Sequence, residues 1–207
     1  MNVFILCTGR CGSTTFIKAC SHITNYTSAH ESRSHLIGEE HFQYPSNHIE
    51  ADNRLSWFLG KLEKLYGDTA LYVHLLRDRK DTAESLYKRY HKGIMQAYTK
   101  GIIMYRMDDP PDISFCYDYI DTVNTNIEIF LQDKSKKINF QLENAEQDFK
   151  IFWEKIKAQG DIETALSEWN KIYNATPPIT QSQNFVRPNL SMKMKKALRL
   201  ISVYSRL

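Results

Sequence analysis

The sequence predicts an α/β fold, a three-layer arrangement in which a central, mainly parallel β-sheet is flanked by helices. Three features carry that expectation. Val3-Phe-Ile-Leu-Cys7 is an unbroken apolar run of strand length that ends in a small-residue turn, Thr8-Gly-Arg-Cys-Gly-Ser-Thr14. Ala70-Leu-Tyr-Val-His-Leu-Leu76 is a second such run, and it too leads straight into a polar turn. Between and after them, apolar residues recur at helical spacing. Strands covered on both faces read as continuous apolar runs, and strands alternating with helices close into a parallel sheet.

The elements are justified in chain order. After the first turn, Phe16, Ile17 and Ala19 suggest a helix. Tyr26–Ala29 is a short candidate strand. Asp52 and Asn53 supply a helix start signal, Leu55, Phe58, Leu59, Leu62, Leu65 and Tyr66 continue it at helical spacing, and Gly67 can end it. Past strand 70–76, Ala83, Leu86, Tyr87 and Tyr90 mark the next helix. Residues 91–112, rich in Met and Tyr and closed by Asp108-Asp-Pro-Pro-Asp112, read as a helical or irregular insertion, because the prolines break a helix.

A long helix carries Phe115, Tyr119, Ile120, Val123, Ile127 and Phe130 on one face, and Lys137–Leu142 reads as a strand. Phe149, Phe152, Trp153 and Ile156 mark another helix. Gly160-Asp161 caps the next, which runs through Ile162, Ala165, Leu166, Trp169 and Ile172 until Pro177-Pro178. A basic segment at about 185–207 closes the chain. No linker divides residues 1–207, so they read as one domain.

Composition limits the function classes. Hydrophobic residues are 42% and charged residues 25%, enough to bury a core without disulfide or metal staples. The formal charge of +3 is too small an excess to argue for nucleic acid, which needs clustered charge. The four cysteines, at 7, 11, 20 and 116, have no metal-site spacing and read as free thiols in a reducing compartment. The Val3–Cys7 run is too short for a signal sequence or a membrane span. A cytoplasmic location is therefore the expectation.

The loop after the first strand is the first candidate site. Ligands of open α/β sheets sit beyond the carboxyl ends of the strands. There, Gly9 and Gly12 let the backbone turn so that successive N–H groups point inward at the start of a helix, an arrangement that attracts anions. Arg10 adds charge, Cys11 keeps the loop slim, and Ser13, Thr14 and Thr15 add hydroxyl donors. The ATP-binding pattern GxxxxGK[ST] is not met: Gly12 comes three residues after Gly9 and the loop has no lysine. The phosphatase pattern Cys-x5-Arg fails as well.

The second candidate is Arg77-Asp-Arg-Lys-Asp-Thr-Ala-Glu-Ser85. Arg77 falls at the end of strand 70–76, and Ser85 lies eight residues later on the next helix. An arginine and a serine at this spacing can hold a second phosphate by charge-assisted bonds.

With both segments in order, each after an apolar strand, the first 90 or so residues resemble the sulfotransferases that use 3′-phosphoadenylyl sulfate (PAPS). Gly9-Arg-Cys-Gly-Ser-Thr-Thr15 is similar to that family's 5′-phosphosulfate loop. Arg77–Ser85 is similar to its 3′-phosphate segment, with Arg79 where proline is usual. The resemblance implies a kinase-like, P-loop-type fold around a parallel sheet, no metal requirement, PAPS as donor and 3′,5′-adenosine bisphosphate (PAP) as product. It also implies that Gly9–Thr15 hold the 5′ side and that Arg77 and Ser85 hold the 3′-phosphate, with Arg10 stabilising charge during transfer to a hydroxyl or, second, an amine. Between the segments, Ser28-Ala-His30-Glu31 places two candidates for the catalytic base: Glu31, as in the family's protein-tyrosine branch, and His30, as in its small-molecule branch. The family's basic closing segment has no clean copy; Arg187, Lys193, Lys195 and Lys196 are candidates. The acceptor and the oligomeric state are not legible. Two other classes stay open: a P-loop kinase acting on a nucleotide or small metabolite, and a non-catalytic nucleotide-binding module.

Overall fold

Strand β1, Val3–Leu6, has all four residues buried, and every later element is placed relative to it. The computed structural model describes residues 1–106, 111–171 and 173. The chain divides into a unit of Met1–Thr176 and a unit of Pro177–Leu207. The second unit lies outside the described residues, and with it Pro177-Pro178, Arg187, Lys193, Lys195 and Lys196. Met107–Pro110 of the insertion and Ile172 also lie outside.

Beside β1 stand β2 (Thr27–His30), β3 (His48–Ala51), β4 (Leu71–Leu76) and β5 (Lys137–Gln141). They form one sheet in the order β2-β3-β1-β4-β5, and every pairing is parallel. Each parallel neighbour needs a crossover, and the crossovers cover both faces. On one face lie α1 (Ser13–Cys20), α6 (Ala145–Lys155) and α7 (Ile162–Ser167), packed on Val3, Ile5, Val73 and Phe140. On the other lie α2 (Leu59–Leu65), α3 (Arg79–Tyr87), α4 (Gly93–Gln96) and α5 (Ser114–Leu131), packed on Phe4, Leu6 and Tyr72. The fold is therefore a three-layer α/β sandwich, as the apolar runs predict.

Phe16 of α1 anchors the first face. Its ring sits 5.0 Å edge-on from Phe140 and from Phe152, 5.7 Å from Phe149 and 5.8 Å from Trp169. Full burial of one such ring stabilises by about 1.5–3 kcal/mol. Asp161 caps α7 by accepting from the N–H of Thr164, as Gly160-Asp161 suggests.

Two elements differ from the expectation. Strand β3 has no apolar signature, since its sequence is His-Ile-Glu-Ala, yet all four residues are buried. Its two polar side chains satisfy each other: His48 Nε2 lies 3.0 Å from Glu50 Oε2, and His48 Nδ1 lies 2.7 Å from Thr27 Oγ1. Ser32 completes the set, donating its N–H and hydroxyl to the two oxygens of Glu50. A buried carboxylate bonded in this way avoids the cost of an isolated charge.

The helix expected over 55–66 is split. A 3-10 turn at Asn53–Trp57 precedes α2, because Asp52 accepts from the Arg54 N–H and tightens the start, and Phe58, at φ −121, interrupts the helical path. Within the insertion, α4 passes into a π-helical turn, Ala97–Ile102, and residues 103–106 are irregular. Among the described residues no helix is long and apolar enough to cross a membrane.

Candidate functional site

The carboxyl ends of β1, β2, β3 and β4 open on one side of the sheet, so the segments that leave these strands share a crevice. The glycine loop leaves β1. Gly9, Arg10 and Gly12 have φ of 78°, 61° and 93°, all left-handed. Such a run of turned peptides directs N–H groups into a concavity. Gly12 is the N-cap of α1. A Cβ there would stand 2.7 Å from Leu142 Cδ1, the far end of a side chain that can shift, so the left-handed backbone is what chiefly calls for glycine. Arg10 is the non-glycine residue held left-handed in this loop, and such strain is found where a site needs it.

Three bonds fix the base of the loop. Ser56 Oγ donates to the Cys7 carbonyl at 3.1 Å, and Tyr119 OH to the Thr8 carbonyl at 2.8 Å. The Cys7 thiol donates to the sulfur of Cys11, which pushes the Cys7 thiol well above its ordinary range and lowers that of Cys11. Cys11 is only 1% exposed, so a ligand in the loop would meet its backbone rather than its sulfur. Ser13 and Thr14 are half-buried and Thr15 is buried.

The second segment meets the first. Asp78 caps α3 by accepting from the Asp81 N–H, which fixes the strand-to-helix turn after β4. Arg10 Nε donates to Ser85 Oγ at 3.0 Å, and Arg77 Nη1 donates to the Arg10 carbonyl at 3.1 Å. Arg77 also pairs with Asp81, four residues on, at 3.4 Å. Burial lowers the pKa of the Arg10 guanidinium, and the like charges of Arg89 and Arg77 lower it further. Three guanidiniums therefore gather at this point. Arg89 is not among the residues the sequence singles out, although it lies four residues beyond Ser85, at helical spacing.

The third contribution comes from the end of β2. His30 Nε2 lies 3.0 Å from Ser13 Oγ, so the imidazole reaches the lip of the glycine loop. Glu31 comes directly after, at φ 54°, and its N–H donates to the Ala51 carbonyl at 3.0 Å. Its Oε2 lies 2.7 Å from Arg54 Nη2. Arg54 and its partner Asp52, just past β3, carry no site signal in the sequence, since β3 itself carries no strand signal. The residues singled out from sequence (Gly9–Thr15, His30, Glu31, Arg77 and Ser85) thus lie on the segments that leave three strands of one sheet.

No protein-family model matches this chain, and no curated protein matches it. The site residues offer a turned loop of N–H donors, a cluster of guanidiniums and hydroxyls bridged to it, and a histidine and a carboxylate at its edge. Such N–H, guanidinium and hydroxyl donors are groups that can hold anions.

Proposed function

We propose that this protein is a sulfotransferase that moves a sulfuryl group from PAPS to an acceptor hydroxyl, with an amine the second choice. One observation carries the reading: Arg10 of the glycine loop is bonded both to Ser85 and, through its carbonyl, to Arg77. Two segments 67 residues or more apart in sequence, each similar to one half of the PAPS signature, are joined side by side. Donor groups for two separate phosphates suit an adenosine 3′,5′-bisphosphate skeleton better than the linear chain of ATP.

Bound there, the donor supplies an activated sulfuryl group on a phosphate leaving group. The loop N–H groups and Arg10 hold the 5′ side, with Ser13, Thr14 and Thr15 around the start of α1. Arg77, Ser85 and Arg89 hold the 3′-phosphate. Glu31 takes the acceptor proton as general base, while His30 orients Ser13. As the acceptor oxygen bonds to sulfur, the sulfur–oxygen bond to the phosphate breaks and the electron pair departs with PAP. Charge that gathers on the bridging oxygen meets Arg10 and the loop N–H groups, which are already in place and need no reorganisation.

A thermal-shift comparison of PAP, ADP and magnesium-ATP tests the reading. A ligand that binds only the folded state raises the midpoint by mass action. PAP is expected to stabilise at lower concentration than the other two. A preference for magnesium-ATP would favour the kinase class, and binding of PAP without sulfuryl transfer from PAPS to any of a panel of phenols, sugars and amines would favour a binding module.

A further inference from the structure

We propose that Arg54, anchored by the buried Asp52, is the positioning residue for Glu31. This inference rests on the sulfotransferase reading for its role in turnover, and on geometry alone for the placement of Glu31.

The placement begins with the backbone. β2 ends at His30, and Glu31 turns left-handed, which a β-carbon makes costly and which therefore needs support from its surroundings. The support is visible on both sides. The Glu31 N–H is tied to Ala51, and the next residue, Ser32, is bound through its N–H and hydroxyl to Glu50. The turn carries the Glu31 side chain over the end of β3, where its Oε2 forms an ion pair with Arg54 Nη2 at 2.7 Å, outside hydrogen-bonding geometry.

Arg54 is itself held. Its backbone N–H and its Nε both donate to Oδ1 of Asp52, at 2.8 and 2.9 Å. Asp52 is fully buried, whereas the Glu31 side chain is 38% exposed and that of Arg54 36%. The two carboxylates therefore differ in kind: one is the buried, fixed end of a relay, the other is partly open to solvent. Asp52 Oδ2 has no hydrogen-bond partner among the described residues, so the bond to Arg54 through Oδ1 is the one that compensates this buried charge. Burial pulls the Arg54 guanidinium down, but the two carboxylates outweigh it and raise it above its ordinary value.

The order of charge states explains why two acids are useful. Before transfer, Glu31 and Asp52 flank one guanidinium. When Glu31 takes the acceptor proton it becomes neutral, and Arg54 keeps its buried partner. The guanidinium is never left without a counter-charge, so the proton can arrive without the relay collapsing. Later loss of the proton to solvent restores the first state. A lysine at 54 would keep the charge but lacks the fork that spans two carboxylates.

The test uses the full chain with Arg54→Gln, Arg54→Lys and Glu31→Gln, and three measurements. First, side-chain carbon relaxation of Glu31 by NMR, with no nucleotide present, reports its order. Order is expected to fall in Arg54→Gln and to return in part in Arg54→Lys; equal order in wild type and Arg54→Gln would overturn the proposal. Second, the thermal shift with PAP is expected to be the same in wild type and both Arg54 variants. Its absence in wild type would sink the sulfotransferase reading while the NMR result still decides whether Arg54 places Glu31. Third, release of PAP from PAPS with water as acceptor is expected to fall roughly 10- to 100-fold in Arg54→Gln, the scale of a misplaced catalytic group. The double variant Arg54→Gln/Glu31→Gln is expected to fall no further than Glu31→Gln alone. Unchanged PAP release in Arg54→Gln, or full additivity in the double variant, would overturn the role in turnover.

Discussion

The two sides of the crevice are built on opposite principles. The β1–β4 side rests on apolar strands, where Val3, Phe4, Ile5, Leu71, Tyr72 and Val73 are buried and His74 is the one ionisable group of the two strands that ordinarily titrates near neutral pH. The β2–β3 side rests on polar residues, where Glu50, Asp52 and His48 are buried and each is held by hydrogen bonds to its neighbours. A hydrophobic strand tolerates the loss of any one contact in proportion to area. A polar network fails when one member is removed, because the rest are left buried and unpaired.

The largest expected effect breaks the polar side. Glu50→Ala leaves His48 and Ser32 without their acceptor, and a cost of about 3–5 kcal/mol is expected, read as a lower urea midpoint. Glu50→Leu, which restores the volume but not the acceptor, should cost about as much as Glu50→Ala if the network rather than the volume is at stake. The matching change on the apolar side, Phe16→Ala, is expected to cost about 3–5 kcal/mol through cavity formation. Phe16→Leu should recover most of it, a rescue by volume that the polar side does not allow.

Arg10→Ala comes next and separates function from stability. Turnover is expected to drop by a barrier of about 2–4 kcal/mol, with a urea midpoint close to wild type. Gly12→Ala ranks below it, with strain of about 1–2 kcal/mol from the left-handed backbone and a further contribution from the Leu142 contact. Adding Leu142→Ala should relieve the contact but not the strain, so the double variant separates the two.

The smallest effect is one of pH. Burial lowers the pKa of His74 from its ordinary value, against the bond to Asn124. In the unfolded chain this histidine takes up a proton at a higher pH than in the fold. Stability from His74 is therefore complete above about pH 6.5 and is lost as pH falls from there toward the lower folded value. Unfolding midpoints at pH 7.5 and 5.5 should differ more in wild type than in His74→Gln.

The same contrast explains what is legible in the sequence. Strands β1 and β4 announce themselves because burial on both faces demands apolar runs. The glycine loop and Arg77–Ser85 stand out because each comes directly after one of those strands. Strand β3 is hidden because His48 and Glu50 look like a solvated segment, and nothing local says that Thr27 and Ser32 will bond to them. Asp52 is legible only as the start of a helix, and Arg54, the partner of Glu31, is hidden with β3. Arg89 is hidden for another reason: a charge four residues past Ser85 gains meaning only once Arg10 and Arg77 stand beside it.

The left-handed turn at Glu31 also bears on solubility. β2 is an edge strand of four residues, and an open edge invites pairing with another chain. A residue at φ 54° cannot extend the pleat, so the edge stops where the crevice begins. The kink that turns the Glu31 carboxylate toward Arg54 thus also limits the length of backbone available to an intruding strand, and a variant that straightened it would be expected to self-associate.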